Sequence, residues 1–244
     1  LYQREWGPAG QAAQNALDLG SGLASTNELE AIFDEGSGGN PGAIFTIATD
    51  ASTESAGVND AIAAYTSKEW MAKLPTQDLI GTYEAGDARL DAWYGECFND
   101  ITGTAPDGCQ NVNNDGLELQ KYQGDKNPSA DPYADDYIHL RAAEMVLIQA
   151  EARLRTSGVS AAINRLNDLR EQRNASQLNS GNFDFESAYD EILAERRREL
   201  VAEGHRYFDL KRLGRDIRKA PGTGQNDIPF SGGQISYRVL DDYP

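Results

Sequence analysis

Lysine, cysteine, histidine and methionine are all scarce in this 244-residue chain. It holds six lysines against sixteen arginines, and only two each of cysteine, histidine and methionine. Four scattered sulfur and imidazole ligands do not make a zinc site. Long apolar runs are missing too. The longest, Ala142-Ala143 and then Met145–Ile148, is broken by Glu144 and falls well short of the roughly 20 residues that a membrane-crossing helix needs. Phosphate-loop, dinucleotide-binding and nucleophile-elbow motifs are absent, so no cofactor is expected. Gly36, Gly38 and Gly39, like Gly222 and Gly224, lack the strand–helix context those motifs require.

What is abundant is acid. Thirty-nine Asp and Glu against 22 Lys and Arg give a net charge of −17. A chain so acidic repels phosphate backbones, which argues against nucleic acid as a partner. A lysine-poor acidic surface fits a secreted or salt-exposed protein. Hydrophobic residues make up 39% of the chain, enough for a sizeable core. Cys97 and Cys109 flank a stretch containing Gly103, Pro106 and Gly108, and read as a disulfide-closed surface loop. The alternative is two free thiols. No signal peptide is visible, and Leu1–Trp6 resembles the tail of a helix already under way. The chain therefore reads as a fragment or processed form whose address label lies upstream.

Helical periodicity is strong at both ends. Ala9, Ala12, Ala13, Ala16 and Leu17 predict a helix over 9–19, stopped by Gly20, with small residues that permit close helix approach. A short helix is predicted over 26–33, a glycine-rich loop over 34–41 and a β-strand over 43–47. Residues 49–132 read as loops, with a short helix near 76–83 and one or two strands. Residues 137–155 are apolar on nearly every face and predict a helix in the middle of a bundle. Ser160 is the expected cap of the next helix, whose stripe is Ala162, Ile163, Leu166 and Leu169. Further helices are expected over 185–202 and from Tyr207 to Leu213. The spacing of Ala9, Ala13 and Ala16 matches that of Ala162, Leu166 and Leu169, and the same offset aligns Leu1 with Leu154. Residues 138–172 thus look like one tetratricopeptide unit, and 1–19 like the end of another.

Three carboxylates, Glu195, Glu199 and Glu203, share one helix face at four-residue spacing. They read as an ion network supplied by Arg198, Arg206 and Arg212; the rival reading is a carboxylate pair for acid–base catalysis. Nearby arginines favour ionised carboxylates and oppose a general-acid role. His205 reads as a hydrogen-bonded structural residue. Glu144 and Glu151 have Arg141 and Arg155 available on their own helix. Asn111, Asn113, Asp115 and Gly116 match half of a calcium loop, but Tyr122 stands where a glutamate is required, and a polar turn serves as well.

Seven aromatics fall between Tyr65 and Tyr122. Tyr83 and Tyr122 read as packing residues, as does Trp70. Trp93 and Tyr94, beside Cys97, are the candidate stacking platform for a sugar face, with Asn99 and Asp100 to bond hydroxyls. Strand alternation would expose one ring of the two. Tyr65 and Asn59 complete the candidate ligand set.

Two stretches resemble a known family. Tyr137-Ile138-His139-Leu140-Arg141-Ala142-Ala143-Glu144-Met145, continuing to Leu147-Ile148-Gln149-Ala150-Glu151-Ala152, is similar to the "R-x-A-E-x-x-L-x-x-A-E-A" helix of the SusD/RagB family. Glu195-Arg196-Arg197-Arg198-Glu199-Leu200, then Glu203-Gly204-His205-Arg206 and Asp209-Leu210-Lys211-Arg212, resembles its "E-R-R-x-E-L…E-G-x-R-x-x-D-L-x-R" signature. Ala43–Ile47, and Tyr83-Glu84 with Asp87-Ala88-Arg89, fit weaker landmarks. The match covers the C-terminal portion of a typical member. The resemblance implies a mainly α, tetratricopeptide-like helical repeat scaffold with an irregular loop-rich insertion and a few short strands. The expected layout is a single domain over 1–244: a partial repeat at 1–33, a loop-rich ligand region at 34–132, repeat and signature helices at 133–214, and an irregular tail at 215–244. It also implies no enzymatic activity. The expected role is a surface-exposed outer-membrane protein, anchored through an upstream lipid, that passes oligosaccharides to a SusC-like TonB-dependent transporter. A peptide ligand or a protein–protein adaptor role is the alternative.

Overall fold

Helix α4, Ala142–Thr156, is buried on almost every side, and the other helices are arranged around it. A computed structural model describes residues 1–20, 22–34, 39–48, 75–96, 117–122, 136–215 and the strand segments 217–219 and 235–237. Helix α1, Trp6–Asp18, lies against α4. There Gly10 comes so close that a Cβ on it would sit 3.0 Å from the Ala152 Cβ, so the small residues do permit close approach. Helix α5, Val159–Glu171, packs on α4 and buries Ala162, Ile163, Leu166 and Leu169. Helix α6, Phe185–Glu199, closes the bundle with Ala188, Tyr189, Ile192 and Leu193. Helix α7, His205–Arg212, follows a turn. The helical-repeat scaffold read from the sequence is the observed one. Among the described residues no helix is long and apolar enough to cross a membrane.

Local chemistry sets the helix ends, and several differ from expectation. Residues 1–5 form a turn, with Arg4 N–H donating to Leu1 O at 3.0 Å, so the opening is not the tail of a helix. Only Thr26–Glu28 of the second predicted helix forms, as a 3₁₀ turn closed by a Ser25–Glu28 capping box. Residues 137–141 are strand β4, not helix. Over 137–140 their burial alternates, Tyr137 and His139 exposed, Ile138 buried and Leu140 half-buried, which is a strand's period of two; Arg141 turns inward out of phase, where the helix begins. Ser160 lies inside α5; the helix starts one residue earlier behind Gly158, whose φ of +89° suits glycine. Asp184 and Ser187 form the capping box of α6. That helix stops at Glu199 rather than residue 202, because Ala202 and Gly204 adopt φ of +60° and +81°.

Before the bundle come β1 (Ala43–Ile47), α2 (Gln77–Ile80), α3 (Ala88–Trp93), β2 (Tyr94–Glu96) and β3 (Leu117–Leu119). β1 pairs antiparallel with β4, with register shifts on both sides of Phe45. β2 pairs with β3, and β5 (Ile217–Lys219) with β6 (Ile235–Tyr237), both antiparallel. A second apolar core gathers here from Leu29, Ile32, Phe33, Leu79, Tyr83, Trp93, Tyr94, Leu119, Tyr122 and Ile138.

Candidate functional site

Between the two cores lies a buried layer of charge. Glu199 accepts hydrogen bonds from Arg89 (3.0 Å), Arg141 (2.6 Å) and both faces of the Arg173 fork (2.9 and 2.8 Å). Glu195 accepts from Arg89 (2.6 Å), Arg170 (2.8 Å) and Arg198 (2.7 Å). Glu203 takes two bonds of 2.7 Å from Arg141 and a third from Lys121. Lys121 also donates to the carbonyls of Glu199 and Val201 and faces the rings of Trp93 and Phe33. Burial pushes the Lys121 amine down to about 8, with Glu203 opposing.

The arginines of this layer hold two of its carboxylates ionised, which opposes a general-acid role for them. Burial alone would raise the Glu195 carboxyl, but Arg89, Arg198 and Arg170 reverse this and hold it at about 2. Glu199 is treated alike by Arg173, Arg141 and Arg89 and lies well below the usual carboxylate range. Both stay ionised and fully bonded, which suits a brace, as the sequence suggested. The arginines differ from those expected. Arg198 does serve Glu195, but Arg212 binds Glu151 and Asp209, and Arg206 has no carboxylate within 4 Å among the described residues. The expected own-helix pairs also fail. Arg141 turns to Glu199 and Glu203, and Arg155 stacks on rings. Glu144 faces His205 at 3.6 Å; burial raises its carboxyl, partly offset by His205 and Arg196.

The brace gives a pH prediction. Glu195 has a folded pKa of about 2 against an ordinary 4.5. Above pH 4.5 both folded and unfolded forms carry the charge, and its stabilisation is complete. As pH falls from 4.5 toward 2 the unfolded chain binds the proton first, so stability declines, by about 3 kcal/mol for this group. Melting temperatures across that range, followed by circular dichroism, should drop steadily; a flat profile counts against the brace.

Trp93 and Tyr94, the expected stacking pair, are both buried, and neither presents an open ring face. Trp93 is 0% exposed, donates its indole N–H to Leu29 O at 3.1 Å and packs edge-on to Phe33. Tyr94 is buried as well, its hydroxyl 2.9 Å from that of Tyr83, and burial pushes it up to about 12. The expected alternation fails because Trp93 ends helix α3 and only Tyr94 begins the strand. Tyr83 and Tyr122 are packing residues, as read. Asn59, Tyr65, Asn99, Asp100, Cys97 and Cys109 lie outside the described residues, as do Trp70 and residues 111–116.

Exposed rings occur elsewhere, on the strand pair β1–β4. Phe45 (51% exposed), Ile47 (52%) and Tyr137 (40%) share its outer face with exposed His139. His139 sits between two rings, 5.9 Å from Phe45 and 5.8 Å from Tyr137. None of the four carries an acidic or strongly basic group. The opposite face is fastened by buried Ile138 and by Arg141 in the charge layer, so the strip stands on a rigid support. Sequence reading found the β1 strand but missed this face. The alternation of residues 137–140 was the available signal.

A model for the SusD family matches residues 29–234. The chain belongs to the SusD family. It is 30% identical over 171 residues to a SusD-like protein from Formosa agariphila, covering 62% of this chain and 33% of that protein. The fold resembles a SusD-like protein from Bacteroides fragilis (TM-score 0.68, 20% identity, 93% of this chain and 57% of that one). It also resembles a SusD-like carbohydrate binding protein from Bacteroides vulgatus (TM-score 0.65, 20% identity, 96% and 48%). The chain thus spans a third of the curated relative and about half of these solved structures.

Proposed function

We propose that this SusD-family chain binds oligosaccharides at the cell surface and passes them to a SusC-like TonB-dependent transporter of the outer membrane. Family membership over residues 29–234 carries the reading, and a fold neighbour described as carbohydrate-binding supports it. The protein acts by capture rather than catalysis: the buried carboxylates singled out in the sequence are neutralised by guanidiniums. Its platform is the strip of Phe45, Tyr137 and His139. Aromatic faces pack against the apolar face of a sugar, while the imidazole and phenol edges offer hydrogen bonds to hydroxyls.

The test is calorimetric titration with neutral hexasaccharides of glucose and xylose, alongside product analysis. One or more should bind without hydrolysis. Phe45→Ala and Tyr137→Ala should each weaken that binding by about 1–3 kcal/mol, by analogy with base stacking on aromatics. Stability should change little, because both rings are half exposed. Released product would turn the assignment to an enzyme. Unchanged affinity in both variants would move the platform elsewhere.

A further inference from the structure

The two histidines of this chain stand in opposite surroundings. His205, at the start of α7, has Glu144 at 3.6 Å, so a proton on its ring meets a buried carboxylate. His139 is exposed on β4. Its ring neighbours are aromatic: Phe45 at 5.9 Å with the planes at 89°, and Tyr137 at 5.8 Å with the planes at 46°. The pairing strand β1 reads Ala43-Ile44-Phe45-Thr46-Ile47 and carries no ionisable side chain. On β4 itself Tyr137 shares the outer face, while Arg141 turns inward to Glu199 and Glu203. Asp136, one residue before the strand, has the register of inward-facing Ile138.

An imidazole is the side chain that ordinarily changes charge between pH 8 and pH 5. Aromatic rings within about 6 Å stabilise a cation through their negative faces but do not cancel its charge. A proton on His139 therefore adds positive charge to the strip, whereas one on His205 is met by Glu144. The neutral ring bonds hydroxyls through one donor and one acceptor. The protonated ring has two donors and a charge, and it bonds a carboxylate more strongly than a hydroxyl. The same apolar rings thus serve two kinds of sugar, according to the state of one side chain.

We infer that His139 sets the specificity of the strip, favouring neutral sugar units when unprotonated and a carboxylate-bearing unit when protonated. The inference rests on the glycan reading above.

Calorimetric titration of the 244-residue chain at pH 7.5 and pH 5.5 tests it. The probes are neutral hexasaccharides of glucose and xylose, and a counterpart of each carrying one glucuronate, whose carboxylate is ionised at both pH values. At pH 5.5, affinity for the acidic form relative to its neutral parent should be about tenfold higher than at pH 7.5, the difference between a charged and a neutral hydrogen bond. Added salt should reduce that rise. His139→Gln should abolish it; the side chain is exposed, so the fold should hold. His205→Gln should retain it. Imidazole NMR gives a second reading: at pH 5.5 the glucuronate form should move the His139 signal and leave that of His205. A relative affinity that does not change with pH, or that changes alike in His139→Gln, overturns the inference while leaving glycan capture intact. No binding of any of the four probes at either pH overturns both.

Discussion

Glu199→Ala is expected to cost the chain about 3–5 kcal/mol of stability, the loss typical of breaking a buried ion pair. Domains of this kind have only about 5–15 kcal/mol in total, so much of the population should be unfolded at mild temperature. The reason is geometric. Glu199 is fully buried, and its two oxygens take bonds from Arg89, Arg141 and Arg173. Arg89 comes from α3, Arg141 from the end of β4 and Arg173 from the turn after α5. Alanine would leave three buried guanidiniums short of a counter-charge, and would unfasten the second core from the bundle. Glu199→Gln keeps one acceptor oxygen and should fall between the two. Urea unfolding followed by far-UV circular dichroism reads the loss; a wild-type midpoint for the alanine variant would show the network to be dispensable.

Trp93→Ala should be comparably damaging, at about 3–5 kcal/mol, as for other truncations of large core aromatics. The indole is fully enclosed, lies 4.2 Å from the Lys121 ammonium and bonds the Leu29 carbonyl. Its removal opens a large cavity, strips the lysine of an aromatic neighbour and leaves a buried carbonyl without its donor. Trp93→Phe should recover much of the packing but not the hydrogen bond. Glycan affinity of the folded fraction should be unchanged, since the ring faces no solvent. A variant with normal melting and no binding would restore Trp93 as a ligand residue.

These two residues show what the chain discloses locally. Glu199 was recognisable as part of a charge network because three glutamates at four-residue spacing must meet cations somewhere. Its partners were not recognisable. Arg89 lies 110 positions away, and nothing in the spacing singles it out over Arg206. Trp93 was noticed for its chemistry, but whether an indole faces a ligand or a core depends on what the chain lays over it. Here that is Leu29, Phe33 and Lys121, all distant in sequence. Residues 137–141 failed differently. They run without a break into an apolar helix, and only pairing with β1, about ninety positions earlier, makes them a strand.

The sequence by itself determined the helical bundle, the buried course of α4, the stripe of α5 and the family signatures. Helical periodicity and capping act over three or four residues and leave their record in the local order of side chains. Tertiary structure alone decided which arginine meets which glutamate and which aromatic rings face out. Burial and long-range charge pairing depend on segments that are far apart along the chain and adjacent only once it has folded.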